Sequence, residues 1–476
     1  MPHGSTPCGG RAFLIQQSRK FASNRCCIRT WLFHILAAAA LAGCGGEGGG
    51  GGSVGGGDGG AGTQPDPGPT LNEHPNILLV ISDDLGLDAS SGYQVGTELP
   101  TTPTLNELAA NGLIFDNAWA SPLCSPTRAT ILTGRYGIRT GVLAPDNPIS
   151  LMETSLQSFI DSNVPNTYTH AVIGKWHLFG PDNGGIDNPN LMGIDHFAGF
   201  RGGGVADYFD WTLIENGRTS PRDTYTTTAF VDLAMDWIAA QEEPWFAWLA
   251  FNAPHTPFHL PPLELHDRDS LSPDQQAIDR DPLSYYLAAI EAMDRELGRL
   301  LDSFSADTRA NTVIIYMGDN GTPRRVYQGP VRTRGKGSVY QGGVAVPMII
   351  SGRGVSRTGE REDALVSSVD LFATIANLAG AGTTEFNDSL SFADLLSDAG
   401  PGPRSYAYTE VVIEDVNRDE WAIRNDRYKL MRQLPRREEL YDLQEDPMEQ
   451  ENLLLTGSNG EAILAELRGQ LSMIRE

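Results

Sequence analysis

The chain of 476 residues has little cysteine, and its five cysteines are unevenly placed. Cys8, Cys26, Cys27 and Cys44 fall within the first 44 residues, and only Cys124 follows them. A disulfide framework in the rest of the chain is therefore excluded. A lone thiol is by default a small buried apolar side chain. In an oxidising compartment, however, a free thiol can form unwanted disulfides. A packing role and a chemical role both stay open for Cys124.

Positive charge is scarce as well, with 35 lysines and arginines against 60 aspartates and glutamates and a formal net charge of −25. Such an acidic surface argues against binding to nucleic acid and against adhesion to anionic lipid. Long apolar runs are also missing, since the run Trp31–Gly43 is too short to span a bilayer comfortably. We therefore expect no nucleic acid among the partners.

The N-terminal segment has the pattern of a secretory signal peptide, with five basic residues before the apolar run at 31–43. It ends in "LAGC", which resembles the lipobox of bacterial lipoproteins and implies a lipid anchor on Cys44; an ordinary cleavage site is the alternative. Residues 45–62 are almost all glycine and predict a flexible tether. We expect an exported bacterial lipoprotein on the periplasmic or cell-surface side of its membrane.

Four apolar runs predict buried strands, and each delivers polar residues where it stops. They are "PNILLVISDDLG" (75–86), "THAVIGKWH" (169–177), "WFAWLAFNAPHTPFH" (245–259) and "NTVIIYMGDNG" (311–321). Helical patterns are found at 104–112, 226–241, 284–304 and 366–380. This alternation predicts an α/β domain with a mostly parallel sheet, and short runs at 420–433 and 438–443 predict a small antiparallel appendage. Ligands of such sheets bind beyond the carboxyl ends of the strands.

The polar residues at these strand ends suggest a metal site beside an anion site. They are Asp83, Asp84, Lys175, His177, His255, Asp319, Asn320 and, downstream, Lys336. Three carboxylates and an amide oxygen are hard donors that suit Ca²⁺, or less well Mg²⁺, better than zinc. Basic side chains near that metal would hold a tetrahedral anion. Taken singly, each residue has a plainer explanation, such as a helix cap or a structural hydrogen bond.

Cys124 supplies the nucleophile that this set lacks. "CSPTRATILTGR" (124–135) resembles the signature of the formylglycine-dependent sulfatases, arylsulfatase-like enzymes of the alkaline phosphatase superfamily, in which such a cysteine is oxidised to formylglycine. Further stretches resemble the motifs of that family in the same order: "PNILLVISDDLG", "GKWHL", "NAPHTPFH", "GDNG", "GKGSVYQGGVAVPMI", "SSVDLFATIANLAG" and "ELYDLQEDPMEQENL".

The resemblance implies an alkaline-phosphatase-like fold: a large, mostly parallel central sheet flanked by helices, with a small C-terminal antiparallel-sheet subdomain. Together with the N-terminal pattern, it leads us to expect four segments: a lipoprotein signal peptide (1–43), a lipidated cysteine and tether (44–72), a sulfatase catalytic domain (73–390) and a C-terminal subdomain (391–476). It also implies a formylglycine-generating enzyme as a maturation partner and a sulfate ester, such as a sulfated glycan, as substrate.

Roles for single residues follow from the same resemblance. The implied Ca²⁺ ligands are Asp83, Asp84, the modified Cys124, Asp319 and Asn320. The implied catalytic residues are Cys124, Arg128, Lys175, His177, His255 and Lys336. Arg128 would steady the hydrated aldehyde, and Lys175 and Lys336 would hold sulfate oxygens. One hydroxyl of the hydrate would attack sulfur, His255 would protonate the leaving alcohol, and His177 would take the proton of the second hydroxyl so that sulfate leaves.

Three functions stay open at this point. The resemblance favours hydrolysis of an aryl or carbohydrate sulfate monoester. A phosphonate monoester or phosphodiester hydrolase of the same superfamily would use the same modified cysteine. A non-catalytic glycan-binding lipoprotein would keep the fold without needing the nucleophile.

Some positions depart from the family pattern. Thr127, Gln341 and Ala345 stand where serine, an acid and arginine are commoner, which puts substrate preference in doubt more than mechanism. The basic segment 322–337 fits either a bound polysulfated glycan or internal ion pairs. We expect the glycine- and aspartate-rich stretch 180–210 to form one wall of the pocket.

Overall fold

A computed structural model describes residues 71–413, 418–433, 437–456 and 460–476. The predicted signal peptide, Cys44 and nearly all of the tether lie outside the described residues. None of the helices in these ranges combines the length and the apolar character needed to cross a membrane. The described residues belong to one compact unit. The boundary expected between residues 390 and 391 stays a prediction.

Ten described strands form the central mixed sheet. In chain order they are β1 (Asn76–Ser82), β2 (Gly112–Trp119), β3 (Thr169–Lys175), β4 (His196–Phe200), β5 (Trp211–Glu215), β6 (Arg218–Arg222), β7 (Trp245–Ala250), β8 (Thr312–Gly318), β9 (Met348–Gly352) and β10 (Glu360–Ser367). Their spatial order is β10-β2-β9-β8-β1-β7-β3-β4-β5-β6. The four strands predicted from sequence, β8, β1, β7 and β3, are neighbours and run parallel. The predicted α/β fold is confirmed.

The described α-helices flank the central sheet, and the last of them packs against the C-terminal sheet described below. They are α1 (Pro103–Ala110), α2 (Cys124–Thr133), α3 (Gly137–Thr140), α4 (Leu156–Asn163), α5 (Asn188–Leu191), α6 (Thr226–Ala239), α7 (Gln275–Arg280), α8 (Pro282–Asp302), α9 (Ala306–Asn311), α10 (Gln341–Val344), α11 (Leu371–Leu378), α12 (Leu453–Thr456) and α13 (Glu461–Arg475). The longest, α8, starts with Pro282 in its first turn and with Asp281 capping the backbone N–H of Ser284.

The helix predicted over 366–380 begins later than expected, so that prediction was wrong at its start. Val366 and Ser367 instead complete β10, where they pair with β2. Ser367 and Asp370 then form a capping box, and a 3₁₀ turn at Ser368–Asp370 leads into α11. The apolar Val366 fits a helical period, but the capping serine after it sets the true start.

Strand β1 shows how a sheet covered on both faces fixes the position of polar residues. Its side chains alternate between two apolar cores, one containing Ile77, Leu79 and Ile81 and the other Leu78 and Val80. Burial of each such side chain contributes roughly 1.5–3 kcal/mol to folding. The interior of the strand is therefore apolar, and polar residues are found only at its ends and directly after it.

The C-terminal region adds a separate antiparallel sheet, which confirms the predicted appendage. Its strands, in spatial order, are β13 (Ala407–Ile413), β14 (Arg418–Arg424), β15 (Tyr428–Gln433) and β16 (Arg437–Asp442). A separate two-stranded ribbon, β11 (Glu385–Phe386) and β12 (Ser389–Leu390), precedes it in the chain. Leu467 and Leu471 of α13 are buried in a core with Trp421 and Ile423 of β14. The sequence patterns did not predict β13 or α13.

Candidate active site

The acidic side chains predicted from the strand ends meet at the carboxyl edge of the central sheet. Asp83 and Asp84 follow β1, and Asp319 and Asn320 follow β8, its parallel partner. The backbone N–H of Asp84 donates to Asp319 Oδ1 at 3.0 Å, and Asn320 Nδ2 donates to Asp84 Oδ1 at 2.8 Å. Parallel pairing thus joins two buried acidic segments that lie 235 positions apart in sequence.

Cys124 is the first residue of α2 and joins this acidic cluster. It is 4% exposed, and its Sγ lies 3.3 Å from Asp83 Oδ1 and 3.4 Å from Lys336 Nζ. Burial, followed by the negative charge of Asp319, raises the pKa of the Cys124 thiol well above its usual value. A thiol needs its ionised form to attack, so unmodified Cys124 is a poor nucleophile near neutral pH.

Arg128 lies one helical turn after Cys124, on the same face of α2. Its guanidinium is fully buried and donates to Asp319 Oδ2 at 2.8 Å and to the carbonyl oxygen of Lys175 at 2.7 Å. Burial works against the charge, but Asp319 and Asp83 outweigh it and raise the pKa of Arg128. Arg128 therefore links the ends of β3 and β8 and places a permanent positive charge beside residue 124.

Two lysines complete the positive side of the site. Lys175 Nζ donates to Asp83 Oδ2 at 2.6 Å, and Lys336 Nζ donates to Asp84 Oδ1. Despite burial, the attraction of Asp84 raises the pKa of Lys336 above its usual range. Burial acts against the charge of Asp84 too, but Lys336 and His255 hold the pKa of Asp84 well below its ordinary value. Both charges therefore persist across the neutral range.

Several of these side chains could hold a cation. Asp83, Asp84, Cys124 and His255 each offer a ligand atom, and these atoms all lie within 4.8 Å of one another. Asn320 Oδ1 is a buried oxygen that has no hydrogen-bond partner in the part of the chain that the structure describes. Burial and then Asp83 raise the pKa of Asp319, so positive charge nearby would stabilise its ionised form. The oxygen donors among these residues, Asp83, Asp84, Asp319 and Asn320, suit a hard cation such as calcium.

The two predicted histidines occupy different surroundings. His255 Nε2 lies 3.7 Å from Asp84 Oδ2, and its Nδ1 lies 2.7 Å from the carbonyl oxygen of Thr256. His177 instead pairs with Asp146, at 2.9 Å between Nε2 and Oδ1. Burial lowers the pKa of each histidine to about 4. Direct contacts thus join nine of the ten predicted site residues into one network. The ring of His177 contacts Asp146 instead and is not part of that network.

Glycines of the stretch 180–210 lie against both histidines, in agreement with the predicted wall. A Cβ atom at Gly203 would lie 2.9 Å from His177 Cε1 and Nε2, and one at Gly204 would lie 3.0 Å from His255 Nδ1. Only a residue without a side chain leaves these rings in place. The glycines therefore let the backbone approach the two imidazole rings closely.

Two of the positions that depart from the family pattern keep a hydrogen bond. Thr127 Oγ1 donates to the carbonyl oxygen of Asp319 at 2.7 Å, which a serine hydroxyl could do as well. Gln341 Oε1 accepts from Trp119 Nε1 at 3.0 Å. Within the basic segment 322–337, Arg325 pairs with Asp279, whereas Arg324 donates to the backbone carbonyls of Lys336 and Gly337. Internal ion pairing therefore accounts for only part of that segment.

Sequence patterns missed two polar residues near this edge. Asp146 lies in the loop between α3 and α4, where no strand end or spacing marks it. Asn252, two residues after β7, is buried, and neither of its amide atoms has a partner among the described residues. The carbonyl of the next residue, Ala253, accepts from the backbone N–H of Asp83. An "NAPH" stretch after a predicted strand was the available signal for Asn252, and for Asp146 there was none.

Known proteins with similar sequences are sulfatases. The family described as Sulfatase matches residues 75–381, and the family described as N-sulphoglucosamine sulphohydrolase, C-terminal, matches residues 332–476. The chain is 26% identical over 415 residues to an arylsulfatase of Klebsiella aerogenes, covering 65% of this chain and 87% of the relative. It is 28% identical over 345 residues to the N-acetylgalactosamine-6-sulfatase of Homo sapiens, covering 64% of this chain and 62% of the relative's length.

Solved structures share the fold. One, of Ps i-CgsB in complex with k-i-k-neocarrahexaose, superposes with a TM-score of 0.71 at 23% identity and covers 85% of this chain and 93% of that chain. Another, in complex with its substrate D-glucosamine-2-N,6-O-disulfate, has a TM-score of 0.67 at 20% identity and covers 84% of this chain and 97% of that chain.

The region matched by the family contains the whole central sheet and all ten predicted site residues. At the carboxyl edge of that sheet, nine of them form a buried network of carboxylates, cations and one thiol. The chain therefore belongs to the sulfatase family of sulfate ester hydrolases.

Proposed function

We propose that this protein hydrolyses sulfate monoesters of a carbohydrate or aryl alcohol, with residue 124 acting as a formylglycine hydrate. The observation that carries the proposal is the position of Cys124 Sγ, which lies between the Asp83 and Asp84 carboxylates and Lys336 Nζ. A sulfate ester is an anion whose sulfur is open to attack only when positive groups offset its oxygens. Arg128, Lys175 and Lys336 supply such charge around one atom.

The modification resolves a conflict within the site. The raised pKa of the Cys124 thiol makes the unmodified side chain a weak nucleophile, although its surroundings are those of a reactive group. Oxidation by a formylglycine-generating enzyme would replace the thiol by an aldehyde, and its hydrate supplies one hydroxyl that attacks sulfur and a second that allows sulfate to be released.

Calcium fits the oxygen donors here. Asp83, Asp84, Asp319, Asn320 and residue 124 would hold it, and when bound it would offset negative charge on the sulfate oxygens. Asn320 Oδ1 supports this assignment because a buried oxygen without a partner is otherwise costly.

The remaining steps use side chains of the chain itself. Lys175 and Lys336 bind and orient the sulfate, and Arg128 holds the Asp319 carboxylate in place. His255 donates a proton to the oxygen of the leaving alcohol, beside Lys336. Burial keeps the pKa of His255 low, and a bound sulfate anion would raise it toward the working range.

Initial rates on an aryl sulfate and an aryl phosphonate test the proposal, measured for the tether-less domain and its Cys124→Ala variant, with peptide mass confirming the aldehyde. We expect faster sulfate turnover that is lost by roughly 10⁵-fold in the variant, with little change in Tm. Faster phosphonate turnover would favour a phosphonate hydrolase. Inactivity on both esters with the aldehyde present would contradict the proposed reaction and point to a glycan-binding role.

The natural substrate is proposed to be a sulfated glycan. The structural neighbours described above include complexes with a neocarrahexaose and with a disulfated glucosamine. Arg324, exposed and held against the backbone of Lys336, supports this because it offers a guanidinium next to the site. Release of sulfate from carrageenan or heparin fragments, measured by ion chromatography, tests the substrate class, and release from none of them would contradict it.

We further propose that the protein is an exported lipoprotein anchored through Cys44. The "LAGC" pattern and the glycine-rich tether support this proposal. Labelling of the full chain with radioactive palmitate should be lost in the Cys44→Ala variant, and equal labelling of both would contradict the anchor.

A further inference from the structure

Asp146 makes the one side-chain contact that the structure shows for the ring nitrogens of His177. Its Oδ1 lies 2.9 Å from His177 Nε2. The His177 side chain is 5% exposed, whereas that of Asp146 is 78% exposed. An exposed carboxylate therefore contacts a nearly buried imidazole that lies two residues after Lys175 in the chain.

The loop that carries Asp146 is braced at several points. The backbone N–H of Asp146 lies 3.2 Å from the hydroxyl of Ser125, the residue after Cys124. Asn147 Oδ1 accepts from the backbone N–H groups of Leu143 and Ala144 at 3.1 and 2.8 Å. Asp146 itself has a φ of 61°, a left-handed conformation that aspartate adopts more readily than most residues. The loop is thus tied to the helix that carries the nucleophile.

The imidazole of His177 is held from a second side. The backbone of Gly203 lies so near the ring that a Cβ there would be 2.9 Å from Cε1 and Nε2. The backbone N–H of Ile149 also donates to the carbonyl of Leu178, which joins the Asp146 loop to the chain next to His177. These contacts leave the ring little freedom to turn.

The pairing also determines where the ring carries its proton. The hydrogen bond from His177 lowers the pKa of Asp146, so the carboxylate is ionised at neutral pH and can only accept. Nε2 therefore bears the hydrogen in the neutral ring, and Nδ1 keeps its lone pair. Nδ1 is buried and has no hydrogen-bond partner within the described ranges.

We propose that Asp146 is a positioning residue that fixes the orientation and tautomer of His177 for the release of sulfate, an inference that rests on the proposed function. In that step the O–H bond of the second hydroxyl on residue 124 breaks and its proton goes to His177 Nδ1. The freed electron pair forms the aldehyde C=O as the C–O bond to sulfate breaks, and sulfate leaves with that bond's electrons. A carboxylate that orients a histidine in this manner commonly matters to rate although it never touches the substrate.

The test compares Asp146→Asn with Asp161→Asn, a matched control on an exposed aspartate whose Oδ1 likewise lies 2.9 Å from Nε2 of a buried histidine, His170. Wild-type turnover of para-nitrophenyl sulfate is established first, so that failure of the proposed function is seen before any variant is compared. We expect Asp146→Asn to lower kcat by roughly 10- to 100-fold with little change in KM, and to let sulfated enzyme accumulate in the intact mass spectrum. Asp161→Asn should keep the wild-type kcat, and Asp146→Glu should regain part of the rate.

An unchanged kcat, a rise in KM alone, or a fall in kcat without sulfated enzyme would each overturn the proposal. A second measurement does not depend on activity. In the Cys124→Ala protein with ¹⁵N-labelled histidine, His177 should give the nitrogen shifts of a neutral Nε2–H ring, identified by their loss in His177→Gln. Asp146→Asn should change those shifts, and identical spectra would overturn the assigned role even if the variant were poorly active.

Discussion

Charge is buried in two regions of the molecule, with opposite effects on its lysines. At the carboxyl edge of the central sheet, here called the catalytic edge, Lys336 is attracted by Asp84 and by the neighbouring acids, and the pKa of Lys336 rises. In the C-terminal sheet, Lys429 forms an ion pair with Glu449, at 2.6 Å between Nζ and Oε1. Its Nζ also lies 4.9 Å from the centre of the Trp119 ring. Burial there lowers the pKa of Lys429 to about 8 despite Glu449. Lys336 is surrounded by several acids, whereas Lys429 is more deeply buried, has Glu449 and lies near Arg424 and Arg334, so burial prevails at Lys429.

The two regions also differ in what some of their buried acceptors do. The catalytic edge leaves buried atoms free to bind something, as Asn320 Oδ1 and His177 Nδ1 show among the described residues. In the C-terminal sheet Glu449 holds chain segments together, since its Oε2 also accepts from the backbone N–H of Gln341. We therefore expect changes at the first region to cost rate and changes at the second to cost stability.

Asn320→Ala should give the largest effect, because it removes a proposed calcium ligand whose oxygen no described residue satisfies. We expect turnover at limiting calcium to fall roughly 100-fold, with recovery at higher calcium. The free energy of unfolding should also fall, by about 1–3 kcal/mol, because Asn320 Nδ2 donates to Asp84 Oδ1 and to the carbonyl oxygen of Gly321. Turnover against free calcium and urea unfolding measure both quantities, and full activity with unchanged calcium content would contradict the assigned site.

Lys429→Met should show the opposite behaviour. Removing one partner leaves the Glu449 charge buried and unpaired, which costs about 3–5 kcal/mol of the free energy of unfolding. The kcat of the folded protein should stay at the wild-type value. Urea unfolding measures the loss, and adding Glu449→Gln should recover much of it; a large fall in kcat with intact stability would reverse the comparison.

His259 should make stability depend on pH in the mildly acidic range. Its ring accepts from Tyr225 and stacks on Tyr208 with ring centres 3.8 Å apart, and burial lowers its pKa to about 4. Between pH 6.5, the ordinary pKa of histidine, and about 4, the unfolded chain binds more protons, so stability falls as the pH is lowered, by at most about 3 kcal/mol from this residue. Urea unfolding should show a flatter pH dependence for His259→Phe, and an unchanged slope would contradict the assignment.

Arg325→Ala should have the smallest effect. Its guanidinium lies 3.1 Å from Asp279 Oδ1, and both side chains are about half exposed. Such surface pairs contribute roughly 0–1 kcal/mol. Urea unfolding and aryl sulfate turnover should both remain close to wild type, and a change in rate would mean that the basic segment takes part in the site.

The strand ends show how much of this site the sequence could predict. A short, β-branched apolar run is typical of a strand covered on both faces, and this pattern predicts that Asp83, Asp84, Asp319 and Asn320 emerge at the edge of the sheet, as they do. The family motifs then placed Cys124, Arg128 and Lys336 with them. The true start of the helix near 366–380 was missed because the periodicity of Val366 also suits a strand.

Asp146 was beyond the reach of pattern reasoning. It lies in a loop, follows no strand and meets His177 only after the chain has folded around α4. The same is true of the pairing of Lys175 with Asp83, which joins the ends of β3 and β1 across the intervening β7.

By itself the sequence determined which residues could carry charge to the edge of the sheet, because burial on both faces leaves no other place for them. It also determined the family, through motifs spread along the chain. Only the tertiary structure decided which acid faces which base, because that depends on the spatial order of the strands and on loop contacts that no local pattern encodes.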